Sequence, residues 1–161
     1  MKFITDGMFG KLTRWLRMLG YDVKYLDKHD DHELIEIAHE ERRILLTRDL
    51  ELYRQGISRG IEVFFVEGKT EEDKLAELVR RFKIKLDIDM ITSRCPKCNT
   101  RIRAISKEEI KDRIKNATFF GYDDFWECSK CKQVYWQGAH WEKILMTLKK
   151  AKQKNINSFD M

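Results

Sequence analysis

Residues 2–26 read KFITDGMFGKLTRWLRMLGYDVKYL, and this stretch indicates how the N-terminal part of the chain folds. Lys2–Thr5 and Asp22–Leu26 have the composition of short strands. The apolar residues between them are spaced as on one buried face of a helix. They are Met8, Leu12, Trp15, Leu16 and Leu19. Gly20 is the expected helix stop, and the order strand, helix, strand predicts parallel pairing.

The same alternation continues to residue 82. Ile44–Thr47 and Ile61–Val66 are the next predicted strands, and Leu50–Gln55 and Glu71–Phe82 are predicted helices, with another helix before Ile44. We therefore predict an α/β domain over residues 1–82, with a parallel sheet flanked by helices.

Two Cys-x-x-Cys pairs mark the C-terminal half. They are Cys95, Cys98, Cys128 and Cys131. Four thiolates in two such pairs supply the tetrahedral shell of a structural zinc ion. Two disulfides are the alternative, which the absence of a recognisable secretory leader disfavours. We predict a structural zinc in a small zinc ribbon.

The remaining boundaries follow from the cysteine pairs. Residues 83–94 are a predicted connector, and residues 95–148 the zinc ribbon with its C-terminal helix, which is expected to begin near His140. Ser106-x-x-Glu109 has the form of a capping box that opens a short helix. The Lys-rich residues 149–161 are expected to form a disordered tail.

Composition limits the functional classes. The longest apolar runs are too short to cross a bilayer, so we expect no membrane partner and a cytoplasmic location. Residues 1–82 carry 15 Lys and Arg against 17 Asp and Glu, whereas residues 83–161 carry 17 against 10. The basic C-terminal half fits either a module that binds a polyanion or an ordinary solvated surface.

Acidic residues follow three of the predicted strands. Asp6 follows the first strand, Asp30 and Asp31 the second, and Asp49 the third. Because ligands of parallel α/β sheets bind at the carboxyl ends of the strands, these carboxylates could gather around Mg²⁺ or Mn²⁺. Each acid could instead serve local structure, since Asp30 and Glu33 match a capping box and Asp49 could cap the next helix.

Four motifs resemble one known family. They are TDGMxGKLxRWLRxLGYD (5–22), LLTRD (45–49), SRCPxC (93–98) and YWxGxHW (135–141). Over residues 2–145 the chain resembles the family named for the C-terminal RNase domain of the mut-7 exonuclease. The resemblance implies a PIN-like nuclease domain followed by a zinc ribbon. It also implies hydrolysis of single-stranded RNA with magnesium or manganese held by Asp6, Asp31 and Asp49. Asp30 is a weaker candidate ligand, and Glu67 is the nearest candidate for a fourth acid.

The predicted RNA contacts are basic and aromatic. The basic candidates are Lys11, Arg14 and Arg17, placed on the exposed side of the first helix, and Arg48. Trp126, Tyr135, Trp136 and Trp141 could stack on bases or fill a small core. We predict a metal-dependent, endonucleolytic ribonuclease acting on RNA, such as precursor or ribosomal RNA. A non-catalytic zinc-ribbon adaptor that binds RNA or the ribosome is the alternative.

Overall fold

The computed structural model describes residues 1–159 and contains a parallel four-stranded sheet. A single 3-10 turn, Gly7–Phe9, joins the first strand to the first helix. The strands are β1 (Lys2–Asp6), β2 (Asp22–Leu26), β3 (Ile44–Thr47) and β4 (Val63–Phe65). The helices that follow them are α1 (Gly10–Met18), α2 (Asp31–Glu41), α3 (Leu50–Ser58) and α4 (Glu71–Phe82). The predicted α/β fold class is confirmed.

The strands lie in the order β2-β1-β3-β4, and both faces of the sheet are covered. Phe3 on β1 and Leu46 on β3 pack with α1 and α4, whereas Ile4 and Leu45 pack with α2 and α3 on the opposite face. Side chains alternate between the two faces of a strand, so near-continuous apolar strands are what a sheet buried on both faces requires.

The C-terminal module, residues 93–140, is built around an antiparallel sheet. Its strands are β5 (Ile102–Ile105), β6 (Phe125–Cys128) and β7 (Val134–Tyr135), in that order across the sheet. A 3-10 helix, Lys107–Arg113, and the short helix α5, Asn116–Gly121, connect β5 to β6. The Ser106 side chain makes no capping hydrogen bond, so the predicted capping box is wrong.

The last helix, α6 (Trp141–Phe159), corrects the predicted disordered tail. It continues through residues 149–159 because its apolar face packs on the α/β unit. Leu148 and Ala151 join the cluster formed by α1, α4 and the sheet. Lys154 also pairs with Asp73 at the start of α4, at 2.8 Å. Residues 160–161 lie outside the described residues.

The predicted connector also packs against the α/β unit. Ile84 and Leu86 are buried in the cluster that contains Phe3 and Leu46. The backbone N–H of Lys85 donates to the Tyr21 hydroxyl at 3.0 Å. The segment that leads into the C-terminal module is therefore ordered.

The outer edge of β2 is covered by the first cysteine pair. The N–H of Val23 donates to the Asn99 side chain at 3.0 Å, and the Val23 carbonyl accepts from Arg17 Nη2 at 2.8 Å and Nε at 3.0 Å. Arg17 Nη1 also donates to the Pro96 carbonyl, at 2.9 Å. Edge strands need such partners, because their outward backbone groups would otherwise be left unpaired.

Arg17 is buried in this contact, with 7% of its surface exposed. The prediction that it lies on the exposed side of α1 is therefore wrong. Its guanidinium is occupied by backbone carbonyls, so we remove it from the candidate RNA contacts.

None of the helices described within residues 1–159 is both long and apolar enough to span a lipid bilayer.

We predict that Arg17→Ala lowers the free energy of unfolding by about 3 kcal/mol, because it leaves the buried Val23 carbonyl and the half-buried Pro96 carbonyl without their charged donor. For a chain of this length the melting temperature should fall by roughly 6–12 °C in differential scanning calorimetry. Arg14→Ala, on the exposed side of the same helix, is the matched control and should change stability by less than about 0.5 kcal/mol. Equal melting temperatures for the two variants would contradict the stabilising role of the Arg17 hydrogen bonds.

Candidate functional site

Asp6 and Asp49 lie at the topological switch point of the sheet. The chain passes from β1 outward to β2 and then crosses back to β3 on the other side of β1. Asp6 is the last residue of β1, and Asp49 follows β3 by two residues. Asp31 begins α2, the helix that makes this crossing. In open parallel sheets the crevice at this point is the usual ligand site.

Asp6 and Asp49 are both fixed by the backbone that follows them. One carboxylate oxygen of Asp6 accepts from Met8 N at 3.0 Å. One oxygen of Asp49 accepts from Glu51 N at 2.9 Å and from Leu52 N at 3.1 Å. Within residues 1–159 the second oxygen, Oδ2, of either carboxylate makes no hydrogen bond. Each side chain is therefore oriented by a local cap and retains one oxygen for a ligand.

The two neighbouring acids at the start of α2 differ. Asp30 is exposed, and its Oδ1 caps the helix by accepting from Glu33 N at 2.8 Å. The Glu33 carboxylate pairs with His29 at 2.6 Å and does not complete a capping box. Within the described residues the Asp31 carboxylate makes no hydrogen bond and is half-buried. Asp31 is therefore the better candidate ligand of the two.

The carboxylates of this edge repel one another. Burial raises the pKa of Asp6, and the charges of Asp49 and Asp31 raise it further. Burial also raises the pKa of Asp31, followed by the charges of Asp49, Glu51 and Asp30. Such repulsion is relieved when a divalent cation lies between the groups.

The three aspartates are the type of ligand that a hard cation prefers, but their carboxylates lie too far apart in this structure to share one. Carboxylate oxygens from three chain segments are the ligands that Mg²⁺ and Mn²⁺ prefer. Across residues 1–159, however, the four cysteines are the only group of three or more potential ligands that lies close enough to hold a metal ion. The aspartates would have to move closer together to share one.

Two further residues beside this edge were not predicted. The first is Glu51, on the first turn of α3, which is one of the charges that raise the pKa of Asp31. Its position two residues after Asp49 is the signal in the sequence that could have identified it.

The second is Tyr25, whose hydroxyl donates to the Gly7 carbonyl at 3.4 Å. A Cβ at Gly7 would lie 2.9 Å from the Asp27 carbonyl oxygen, so only glycine permits this close approach of the two loops.

The remaining basic candidates lie at the surface. Lys11 and Arg14 are exposed on α1, and Arg48 is exposed beside Asp49, with its Nη1 donating to the Gly68 carbonyl at 3.3 Å. Glu67, the candidate fourth acid, donates its backbone N–H to Glu77 at 2.9 Å. It is not among the charges that raise the pKa of Asp6 or Asp31.

The four cysteines form a compact cluster. Their sulfur atoms all lie within 4.8 Å of one another, and Cys95 and Cys128 are fully buried. The Cys95–Cys131 and Cys98–Cys128 sulfurs are 3.6 and 3.3 Å apart, too far for the disulfide distance of about 2 Å. A tetrahedral zinc ion with bonds of about 2.3 Å separates its sulfur ligands by about 3.8 Å. The cluster therefore fits a four-coordinate metal ion such as zinc.

Neighbouring polar groups lie against the sulfur atoms of this cluster. The Tyr135 hydroxyl lies 3.0 Å from Cys95 Sγ, and Cys131 N donates to Cys128 Sγ at 3.5 Å. Burial alone would raise the pKa of the Cys98 thiol, but hydrogen bonds from Thr100 and from the other thiols lower it to about 6. Such surrounding partners fix the orientation of metal ligands.

The aromatic candidates differ in how far they are buried in the C-terminal module. Trp126 and Tyr135 pack against the cysteine cluster, and Trp141 is half-buried. Trp136 is exposed over 37% of its surface. It is the aromatic candidate most accessible to a base.

We predict that the purified chain contains one zinc ion and that Cys128→Ser loses it, because the closed shell needs all four thiolates. Amide hydrogens of β5, β6 and β7 should then exchange with solvent much faster, as measured by mass spectrometry. Ser129→Ala, an exposed position in the same loop, is the matched control and should keep both the metal and the protection. Zinc-free wild type with protected amides would contradict this prediction.

We also predict that Asp6→Asn stabilises the chain when magnesium and manganese are absent. The raised pKa values mean that the folded chain binds these protons more tightly than the unfolded chain, so its stability falls as the pH rises through them. Asparagine keeps the cap and removes the repelled charge, so at pH 7 the melting temperature should rise by about 1–3 °C. Millimolar manganese should stabilise wild type and leave Asp6→Asn unchanged.

Glu40→Gln, on the exposed far end of α2, removes one carboxylate in the same way and is the control for this measurement. It should keep the manganese response of wild type. Equal manganese stabilisation of wild type and Asp6→Asn would argue against a cation at the three aspartates.

Comparison with known protein families identifies one family. The model of the Mut7-C RNase domain matches residues 1–148, which is nearly the whole chain, and indicates an RNA-related nuclease role. No curated protein and no solved structure gives a significant match. The matched residues include the strand-end aspartates and all four cysteines, as the sequence motifs predicted. The chain belongs to the Mut7-C RNase domain family.

Proposed function

We propose that this chain is a metal-dependent ribonuclease that cleaves single-stranded RNA internally. The observation that carries the proposal is that Asp6, Asp31 and Asp49 all lie at the switch point of the parallel sheet, where burial and the charges of neighbouring acids raise the pKa of Asp6 and of Asp31. Perturbed carboxylates in a sheet-edge crevice are typical of a catalytic site. Membership of the Mut7-C family supports RNA as the substrate.

Asp6 and Asp49 would hold magnesium or manganese through the oxygens that their local caps leave free, and Asp31 through its unbonded carboxylate. When bound, such a cation activates water and neutralises the charge that develops on a phosphodiester. The backbone N–H groups of Glu51 and Leu52 hold Asp49 in place, and Met8 N holds Asp6. Two of the three ligands are thereby oriented by the backbone before a cation binds, and binding would draw the three carboxylates closer together.

Exposed cations beside this edge would bind the RNA backbone. Lys11 and Arg14 on α1 and Arg48 next to Asp49 are free to contact phosphates from solvent. Arg48 is tethered by one guanidinium nitrogen to Gly68, which leaves its other donors for a ligand. These contacts would position a strand without reading its sequence.

The cysteine cluster would hold a structural zinc. Four thiolates close the shell, so the zinc offers no open position to a substrate, and hydrolysis is assigned to the carboxylates. Free thiols of this kind are maintained in a reducing compartment, which supports a cytoplasmic location. A module of this kind attached to the nuclease fits processing of precursor or ribosomal RNA.

The alternative is a non-catalytic adaptor that binds RNA or the ribosome. The observation in its favour is that Asp6, Asp30 and Asp49 all have capping roles that need no metal. The two functions predict different effects of replacing an aspartate, because an adaptor has no RNA cleavage that the substitution could abolish.

We predict that purified wild type cleaves a labelled single-stranded RNA in the presence of manganese or magnesium and that Asp49→Asn lowers the rate by a factor of about 10² or more. Asparagine can still cap α3, so the variant should remain folded and keep its zinc. A circular RNA of the same sequence should also be cut, because only an endonuclease can open it. Products are resolved on a denaturing gel.

Glu40→Gln is again the matched control and should cleave at the wild-type rate. Wild type that binds the single strand but cuts neither it nor a structured RNA, with either cation, would exclude the nuclease and favour the adaptor. Cleavage of the linear RNA alone would exclude the endonucleolytic mode.

A further inference from the structure

The C-terminal module contains a basic cavity of about 520 Å³. It lies between the segment that precedes α5 and the loop that leads into β7. The polar and aromatic residues that line it are Arg113, Lys115, Thr118, Lys132, Gln133 and Trp136. None of its lining residues is acidic, and its volume is in the range of small-molecule sites. The cavity is therefore suited to an anion that carries a flat ring.

Cations in and beside this cavity pair with one buried carboxylate. Glu127 is 3% exposed and pairs with Arg113 at 2.7 Å, with Arg103 at 3.6 Å and with Lys132 at 3.8 Å. Arg113 Nη2 also donates to the Lys132 carbonyl. A buried carboxylate of this kind must be paired, but one negative charge does not neutralise three cations. The surface above Glu127 consequently keeps a positive excess.

Trp136 is held in place at the wall of this cavity. Its ring packs on Phe125, with centroids 6.3 Å apart and planes tilted by 53°. A Cβ at Gly138 would lie 2.7 Å from its Nε1, so only glycine leaves room for the indole in this position. The 37% of the side chain that stays exposed is an apolar surface already fixed in one orientation.

We propose that this cavity binds one nucleotide of a single-stranded RNA, with a base stacked on Trp136 and the backbone phosphate bound by Lys115 and Lys132. The proposal rests on the proposed function, since it takes RNA as the ligand of the protein. Stacking on an aromatic ring requires an unpaired base, so the pocket selects single strands over duplexes. Cations that touch phosphate only would add affinity with little sequence preference.

The pocket and the aspartate edge would have separate roles. The edge carries the reacting groups, whereas the pocket holds the strand at another point of the chain. Removing a pocket contact should therefore raise the RNA concentration needed for half-maximal cleavage and leave the rate at saturation near that of wild type.

Binding is measured by fluorescence anisotropy with a labelled oligouridylate of roughly 12 nucleotides, a length in the range of single-strand binding sites. The Asp49→Asn background without magnesium or manganese prevents cleavage, so the result does not depend on the nuclease. In this background Trp136→Ala should weaken binding by roughly 5- to 100-fold. Trp136→Tyr should restore most of the affinity, and Gly138→Ala, which displaces the indole, should act like Trp136→Ala.

The phosphate contacts are tested by salt dependence. The double variant Lys115→Ala with Lys132→Ala should reduce the slope of log K against log salt by about 0.7, which is the contribution of one neutralised phosphate on a single strand. The double variant Lys149→Ala with Lys150→Ala removes two exposed lysines of α6 and should leave affinity and slope unchanged. Zinc content and melting temperature verify that each variant is folded.

Unchanged affinity in folded Trp136→Ala and in the Lys115, Lys132 double variant would overturn the proposal. So would duplex RNA that binds as tightly as the single strand with the same dependence on Trp136. Loss of binding in these variants together with inactive wild type would support the pocket and refute the nuclease, so the two failures are distinguishable.

Discussion

The position of the C-terminal module depends on the bonds that Arg17 donates to two backbone carbonyls. The Val23 carbonyl belongs to the edge strand of the parallel sheet, and the Pro96 carbonyl to the loop between the first two cysteines. Asn99 completes the contact by accepting from Val23 N and donating to Asp22. One guanidinium thus joins the first helix, the edge strand and the metal loop, because its planar fork can serve several acceptors at once.

The cysteines of this module and the aspartates of the sheet edge differ in ligand type. Cys95 and Cys128 are buried, and four soft thiolates form a closed set, so a metal held there would shape the module but could not accept a substrate. Asp6 and Asp49 instead present hard carboxylate oxygens at the sheet edge, and a backbone cap uses one oxygen of each. Burial lowers the pKa of the Arg17 guanidinium, and the charges of Cys95, Cys98 and Asp22 oppose that shift. Disorder of the loop that holds Cys95 and Cys98 would take the Asn99 side chain away from Val23 N, so it would weaken the edge strand as well as the module.

Elements determined by local pattern were predicted from the sequence nearly residue by residue. Asp22–Leu26, Ile44–Thr47 and Glu71–Phe82 have the predicted bounds because periodicity and flanking residues are local signals. Arg17 was misplaced because the loop that covers it is distant in sequence; the Pro96 carbonyl that it contacts is 79 residues away. The tail after Lys149 was misjudged for the same reason, since its order comes from packing on α4, which a lysine-rich composition does not reveal.

Only part of the candidate site could be predicted from the sequence. Strand order and the carboxyl-edge rule together locate Asp6 and Asp49, whereas the neighbourhood of Glu51 and Tyr25 depends on how helices and loops close over that edge. Carboxylates at the sheet edge would repel a polyanion until a cation is bound. In the proposed function, affinity for RNA would therefore come from the exposed cations beside the edge and from other surfaces that keep a positive excess. The module around Glu127 is such a surface, because three cations there share one buried carboxylate.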